Sequence, residues 1–264
     1  MPMTDANSSA YPMPQAARRM LGIEVVIVLW LSLGAAAIRS TLGFIKRISS
    51  EVPLSDQTVS IVRPFAPDRA WLDLAYHVSG AVIALGAVAL VWYLLKASGE
   101  SLATIGVDLS EPRRDLLRGI SLAALIGGGG LVLYLVAVQL GINAQIAPST
   151  ISERWYELPV LLLRAAEAAA VEEIVILGYV LHRLSQVGVN MWWAIAISAT
   201  VRATYHLYQG VGGFVGNLIM GVIFGLLFMR WRRASPMIVA HFLIDAVAFV
   251  GFALLASRLD WLPG

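Results

Sequence analysis

Two adjacent glutamates, Glu172 and Glu173, lie in the middle of an apolar stretch, in the sequence Ala-Val-Glu-Glu-Ile-Val. Neighbouring residues of a helix point about 100° apart, so one carboxylate can face a cavity while the other pairs with an adjacent helix. A carboxylate in an apolar cavity is suited to take a proton from water near neutral pH. The pair therefore favours base catalysis, and the alternative is that both glutamates only brace a helix bundle.

Two histidines follow in later apolar stretches, each four residues from another ionisable group. Arg202 precedes His206, and His241 precedes Asp245. A spacing of four places both members of a pair on one face of a helix. Asp245 can orient the ring of His241, as carboxylates do for catalytic or metal-bound histidines. A single histidine is as easily a packing residue, but together with the glutamates this set favours a functional site.

Other ionisable residues are predicted to be structural. Arg164 and Glu167 are three residues apart, so we expect them to neutralise each other. His77 and His182 lie near the ends of apolar stretches, and the sequence assigns them no role.

The elements that carry these residues are predicted to be membrane helices. Of the 264 residues, 58% are hydrophobic and 14% are charged, and the mean hydropathy is +0.75. These values are typical of membrane proteins, and a bilayer about 30 Å thick needs roughly 20 mostly apolar residues per helix. The sequence predicts an all-α, polytopic transmembrane bundle with seven such stretches, or eight if one is split: 21–45, 71–96, 117–141, 158–184, 191–209, 213–230 and 236–257.

The composition also excludes several classes of site and partner. The chain has no cysteine, so disulfides, thiolate nucleophiles and cysteine-ligated zinc are excluded. The net charge is only +2, and the arginines and lysines lie mainly at the ends of apolar stretches, where lipid headgroups bind them. We therefore expect membrane lipids as partners and no nucleic acid.

The chain is predicted to divide into a tail, two groups of membrane helices and a second tail. Residues 1–20 are expected to be a disordered N-terminal tail, 21–157 the first three membrane helices with their loops, 158–257 the catalytic core helices, and 258–264 a C-terminal tail. Ten arginines and lysines fall on the side of the N-terminus and six on the other. This bias favours a cytoplasmic N-terminus, and we expect a multi-pass protein of the plasma membrane.

The three motifs together resemble the CPBP intramembrane proteases, also called the Abi or CAAX-protease family. The family pattern is Glu-Glu-x-x-x-Arg, then Phe-x-x-x-His, then His-x-x-x-Asn or Asp, on successive helices. Glu172 and Glu173 match the first motif, His206 matches the second, and His241 with Asp245 matches the third. The resemblance covers about residues 158–250.

The resemblance implies an intramembrane endopeptidase in which Glu172 activates a water molecule. His206, His241 and Asp245 would then stabilise the oxyanion or hold a metal ion, with His206 and His241 as the metal ligands. Zinc with an open coordination position and a metal-free, glutamate-driven hydrolysis are both compatible with these residues. The implied substrate is a membrane-associated or lipidated peptide or protein, cleaved at or within the membrane, for example near a lipidated C-terminus.

Two positions depart from the family pattern, and together they indicate that a charge has moved. Leu177 stands where the first motif has Arg, and Arg202 stands where the second has Phe. A buried carboxylate without a partner would cost several kcal/mol or take up a proton. We therefore expect Arg202 to reach across and pair with Glu173, leaving Glu172 to face water. The alternative is that Arg202 extends toward the headgroups without a partner.

Two other classes of protein are compatible with the same residues. Chains of Glu and His inside a membrane also build proton relays, so a proton-coupled transporter is one alternative. The second is a non-catalytic scaffold or immunity-type protein that keeps the fold and binds a partner.

Overall fold

The fold is a bundle of long helices joined by short connections. The computed structural model describes residues 14–60, 62–147 and 154–255. We number the main helices in chain order: α1 Gln15–Ile48, α2 Ala70–Ala97, α3 Pro112–Gln139, α4 at 157–186, α5 Met191–Tyr205, α6 Val211–Trp231 and α7 Ser235–Leu255. Two of them contain π-helical stretches, Trp30–Gly34 in α1 and Glu172–Val180 in α4.

The all-α class is confirmed, and each predicted apolar stretch overlaps a helix. The stretch 191–209 extends beyond the end of α5 at Tyr205, and the last two residues of 236–257 lie outside the described residues. Within the described residues, four helices are long and apolar enough to cross a membrane, namely α1, α2, α3 and α6, and α7 is apolar over Ser235–Gly251. The count of seven or eight crossings therefore stays a prediction. The predicted disordered tail 1–20 is wrong in its last part, because α1 begins at Gln15. Residues 1–13 and the predicted tail 258–264 lie outside the described residues.

A small parallel sheet joins two loops at one end of the bundle. Strand β1, Thr58–Ser60, follows α1, and strand β2, Gln145–Ala147, follows α3. The backbone N–H of Ile146 also donates to the phenol of Tyr134 on α3, 2.9 Å away. The sheet therefore holds both loops against the end of α3.

Helix α4 lies at the centre of the bundle and carries the main apolar core. All nine residues of its π-helical stretch are buried. Helix α4 packs against α2 and α7, α7 packs against α3, and α5 packs against α6 and the second half of α1. A helix that is apolar on every side is expected at such a buried position, and this position places both glutamates inside the protein.

The helical structure is interrupted between α5 and α6, directly after Tyr205. A short 3₁₀ turn, Leu207–Gln209, is followed by Gly210 with φ +121°, a conformation that L side chains rarely adopt. A Cβ at Gly210 would also lie 2.8 Å from Cα of Asn143. The buried Asn143 accepts a hydrogen bond from the backbone of Gly213 at 2.9 Å. The break therefore has a fixed shape that positions the residue at its start, His206.

A second cluster of contacts fixes the start of α7 at the opposite end of the bundle. Arg233 contacts the carboxylates of Asp108 at 2.9 Å and Asp115 at 2.6 Å. The hydroxyl of Ser235 donates to the carbonyl of Gly106 at 2.8 Å. Hydrogen bonds from Arg233 hold the pKa of Asp108 well below its ordinary value. We call these contacts of Arg233 and Ser235 the clasp. They set the position of α7, which carries His241 and Asp245.

We expect Arg233→Gln to lower the melting temperature in detergent at pH 7. A depressed carboxylate pKa stabilises the fold above the ordinary value, about 4, and that stabilisation is lost as the pH falls below it. The difference in melting temperature between wild type and Arg233→Gln should therefore be smaller at pH 3 than at pH 7. Thermal unfolding at pH 7 and at pH 3 measures this difference. Arg230→Gln, at an exposed position, is the control. An equal difference at both pH values would contradict this account of the clasp.

Candidate active site

The two glutamates open the π-helical stretch of α4. In a π-helix the backbone hydrogen bond spans five residues rather than four, and such stretches occur frequently at functional sites. Gly178 permits the close packing of this stretch, because a Cβ there would lie 2.8 Å from the side chain of the buried Ile105. Both carboxylates of this stretch lie against α5, where they face Arg202.

Arg202 on α5 lies against both glutamates. Its Nη2 atom donates to Oε1 of Glu173 in a short ion pair, and its Nη1 atom lies 3.5 Å from Oε2 of Glu172. The ion pair expected between Arg202 and Glu173 is therefore present. The guanidinium is a fork with two outer nitrogens, so it lies against both carboxylates while only Nη2 makes a hydrogen bond. Its plane also covers the ring of Phe224 at 5.6 Å.

His241 on α7 approaches Glu173 from the other side. Its Nδ1 atom lies 2.7 Å from Oε1 of Glu173, and its Nε2 atom lies 3.4 Å from Oδ2 of Asp245. Both ring nitrogens of His241 therefore face carboxylates. Glu173 is completely buried and shares one oxygen between Arg202 and His241, so its charge is compensated from two helices.

Glu172 lies beside Tyr205 and His206 at the end of α5. The phenol of Tyr205 donates to Oε2 of Glu172 at 2.7 Å, and Nε2 of His206 lies 3.8 Å from the same oxygen. About 10% of the Glu172 side chain remains exposed, whereas none of Glu173 does. Glu172 is therefore the carboxylate with access to small molecules from outside the bundle.

Several buried polar atoms around Glu172 lack a hydrogen-bond partner in the described part of the chain. They are both ring nitrogens of His206, Nη1 of Arg202 and Oε2 of Glu173. Buried polar atoms in proteins are nearly always paired, and the exceptions cluster where water or a ligand binds. We call these residues, with Tyr205 and His241, the charge cluster: Glu172, Glu173, Arg202, Tyr205, His206 and His241.

The charge cluster lies in a segment that matches a known family. The model described as type II CAAX prenyl endopeptidase Rce1-like matches residues 154–247. Residues 154–247 are thus similar to the CAAX-protease family. This confirms the resemblance seen in the sequence, and with the four long apolar helices it identifies a CAAX-protease-like membrane protein. Neither the curated proteins nor the solved structures contain a match to the chain.

The two departures from the family pattern have different surroundings in the matched segment. Leu177 is 1% exposed and belongs to the main apolar core. Arg202 is equally buried but lies among the carboxylates. The position that carries Arg in the family pattern is thus filled by an apolar side chain, and the cation of the site comes from α5.

The charge cluster fits a resident divalent metal poorly. Glu172, Glu173 and His241 offer ligand atoms within 4.8 Å of one another, and among the described residues this is the group with metal-ligand spacing. His206, predicted as a metal ligand with His241, lies outside that group. The guanidinium of Arg202 contacts both carboxylates, so a divalent cation bound by them would lie beside a permanent positive charge. Glu173 also already accepts two contacts on one oxygen.

Every member of the charge cluster except Tyr205 is a candidate site residue in the sequence. The residue was visible only as the neighbour of His206, and nothing in its spacing indicated a bond to Glu172. Straight helices that rise 1.5 Å per residue would set His206, near the end of one predicted span, and His241, near the start of another, roughly 15 Å apart in depth. The end of α5 at Tyr205 supplies the broken helix that convergence requires, and both histidines contact the glutamate pair.

Proposed function

We propose that the protein is an intramembrane endopeptidase that hydrolyses a peptide bond with a water molecule activated by Glu172. The observation that carries this proposal is the unequal environment of the two glutamates. Glu173 is fully buried and neutralised by Arg202 and His241, whereas Glu172 is partly exposed beside polar atoms without partners in the described residues. A catalytic base must reach water, so it needs the partly exposed environment of Glu172.

The proposed reaction uses groups of this chain alone. Glu172 takes a proton from water, and the water oxygen attacks the carbonyl carbon of the scissile bond. The tetrahedral intermediate carries an oxyanion, which His206 can stabilise because both its ring nitrogens are without partners among the described residues. The carbon–nitrogen bond then breaks, and Glu172 returns the proton to the leaving amine.

His241 and Asp245 have a different proposed part from the one implied by the resemblance. Both nitrogens of His241 face carboxylates, so the ring is engaged in holding Glu173 rather than free to meet a substrate. Asp245, when ionised, only accepts hydrogen bonds and cannot donate one to an oxyanion. We propose that these two residues position Glu173, and that His206 is the histidine that faces the substrate.

The proposed substrate is a lipidated protein whose C-terminal peptide is cleaved at the membrane. The matched family description names a CAAX prenyl endopeptidase, and a CAAX sequence is a C-terminal cysteine that carries a prenyl chain followed by three residues. Membrane lipids are the second proposed partner. We also propose the plasma membrane as the location of the protein. The N-terminus is proposed to be cytoplasmic because ten arginines and lysines are predicted on that side and six on the other.

The experiment that tests this function uses purified protein reconstituted in liposomes with a farnesylated peptide ending in a CAAX sequence. We expect release of the C-terminal tripeptide, detected by mass spectrometry. The matched control is the same peptide without the farnesyl group, which should be cleaved far more slowly. An intact farnesylated peptide, together with solute-driven proton uptake into the liposomes, would support the transporter alternative instead.

We expect activity to survive removal of divalent metals. Since Arg202 contacts both carboxylates, the hydrolysis proposed here needs no metal ion. After exhaustive chelation, the rate of peptide cleavage should stay within about twofold of the untreated rate, because general-base catalysis by Glu172 depends only on groups of the chain. A loss of activity that added zinc restores would contradict this prediction and favour the metal-dependent alternative.

A further inference from the structure

Arg202 presents one nitrogen that the ion pair with Glu173 does not use. The side chain is 2% exposed, and its Nη2 atom makes the contact with Glu173. Its Nη1 atom is buried and has no hydrogen-bond partner among the described residues. The Nη1 atom lies 3.5 Å from Glu172, which is longer than a good N–H to oxygen hydrogen bond.

A buried donor without a partner is costly, and Arg cannot relieve the cost by losing its proton. The free nitrogen therefore stays a donor at all working pH values. It points to the one partly exposed carboxylate of the cluster, where the attacking water and the scissile carbonyl must meet in the proposed reaction. An oxygen that becomes negative during the reaction would supply the missing acceptor.

Few other groups of the site can donate to that oxygen. His241 has both nitrogens facing carboxylates, and the phenol of Tyr205 is bonded to Glu172. Asp245 is an acceptor when ionised. Among the described residues of the site, this leaves the nitrogens of His206 and the free Nη1 of Arg202.

We propose that Arg202 is a catalytic residue whose Nη1 atom donates to the oxyanion of the tetrahedral intermediate. Its Nη2 atom at the same time neutralises Glu173. This inference rests on the proposed hydrolysis and goes beyond the charge-partner role that the sequence indicates for Arg202. A guanidinium suits both tasks, because its planar fork can hold one acceptor on each outer nitrogen.

The test compares two inhibitors with identical side chains on two variants that both carry a neutral residue at position 173. One is a farnesylated peptide phosphonate, whose tetrahedral oxygens resemble the oxyanion, and the other is a ketomethylene isostere, which resembles the substrate. The variants are Glu173→Gln alone and Glu173→Gln with Arg202→Met, since the second removes the donor while position 173 remains neutral. Inhibition constants for both compounds are measured by competition with a fluorescent, uncleavable farnesylated peptide.

Adding Arg202→Met should weaken the phosphonate about 100-fold or more, which is the cost of removing one oxyanion donor. The isostere should change by less than about threefold, and its binding also shows that the variant is folded. If both compounds weaken in parallel, or neither weakens, Arg202 is only a structural partner of Glu173 and the inference is overturned. The proposed function fails separately, if wild type does not cleave the farnesylated peptide.

Discussion

Glu172→Gln should abolish peptide hydrolysis while the protein still folds. The substitution keeps the size of the side chain and its contact with Tyr205 but removes the group that takes the proton from water. General-base catalysis contributes about 10²–10⁴-fold to a rate, so we expect turnover to fall by at least about 100-fold. Cleavage of the farnesylated peptide and thermal unfolding of the same preparation measure the two effects.

Glu167→Gln is the matched control for this prediction. Glu167 lies on the same helix and is also largely buried, but its ion pair is with Arg164 at 2.6 Å, whereas Glu172 lies against Tyr205 and His206. Its substitution should change turnover by no more than a few-fold. If Glu172→Gln retained turnover close to that of wild type, Glu172 could not be the base, and the scaffold alternative would gain support.

Arg202→Leu should destabilise the protein strongly. The substitution leaves the carboxylate of Glu173 fully buried with only His241 beside it. Removing one partner of a buried ion pair costs about 3–5 kcal/mol, because the other charge stays in a medium that solvates it poorly. A fall in the melting temperature well beyond that of Arg233→Gln is therefore expected, measured in the same detergent.

Two second-site changes show whether this loss comes from the unpaired charge. Glu173→Leu combined with Arg202→Leu removes both charges, so most of the lost stability should return. Leu177→Arg combined with Arg202→Leu places a cation where the family pattern has one and should restore part of both stability and activity. Strictly additive effects in both combinations would show that these charges are not coupled.

The helical fold could be predicted from the sequence because apolar stretches of about 20 residues leave few other structures. The bounds were less accurate where polar or small residues extend a helix. Helix α1 begins at Gln15, ahead of the predicted apolar stretch 21–45, because Arg18 and Arg19 are polar but good helix formers. The break after Tyr205 depends on Gly210 and on its contacts with Asn143, which lies 67 positions away and gave no local signal.

Within the charge cluster, the sequence predicts those contacts that are needed to compensate buried charges. Arg202 and Glu173 had to compensate each other once both were placed inside a membrane helix bundle. The contact of Tyr205 with Glu172 and the free nitrogen of Arg202 depend on the π-helical geometry of α4, which no residue pattern indicated. The prediction of His206 as a metal ligand also depended on distances between helices, which the spacing of residues along one helix does not give.

The measurement that tests the account most directly is cleavage of the farnesylated CAAX peptide by purified protein in ¹⁸O-labelled water. The account predicts that wild type releases the C-terminal tripeptide and leaves one ¹⁸O atom in the new carboxylate of the farnesylated cysteine. Glu172→Gln should give neither product under the same conditions. Recovery of intact, unlabelled peptide from folded wild type, or equal cleavage by Glu172→Gln, would contradict the claim that Glu172 activates a hydrolytic water.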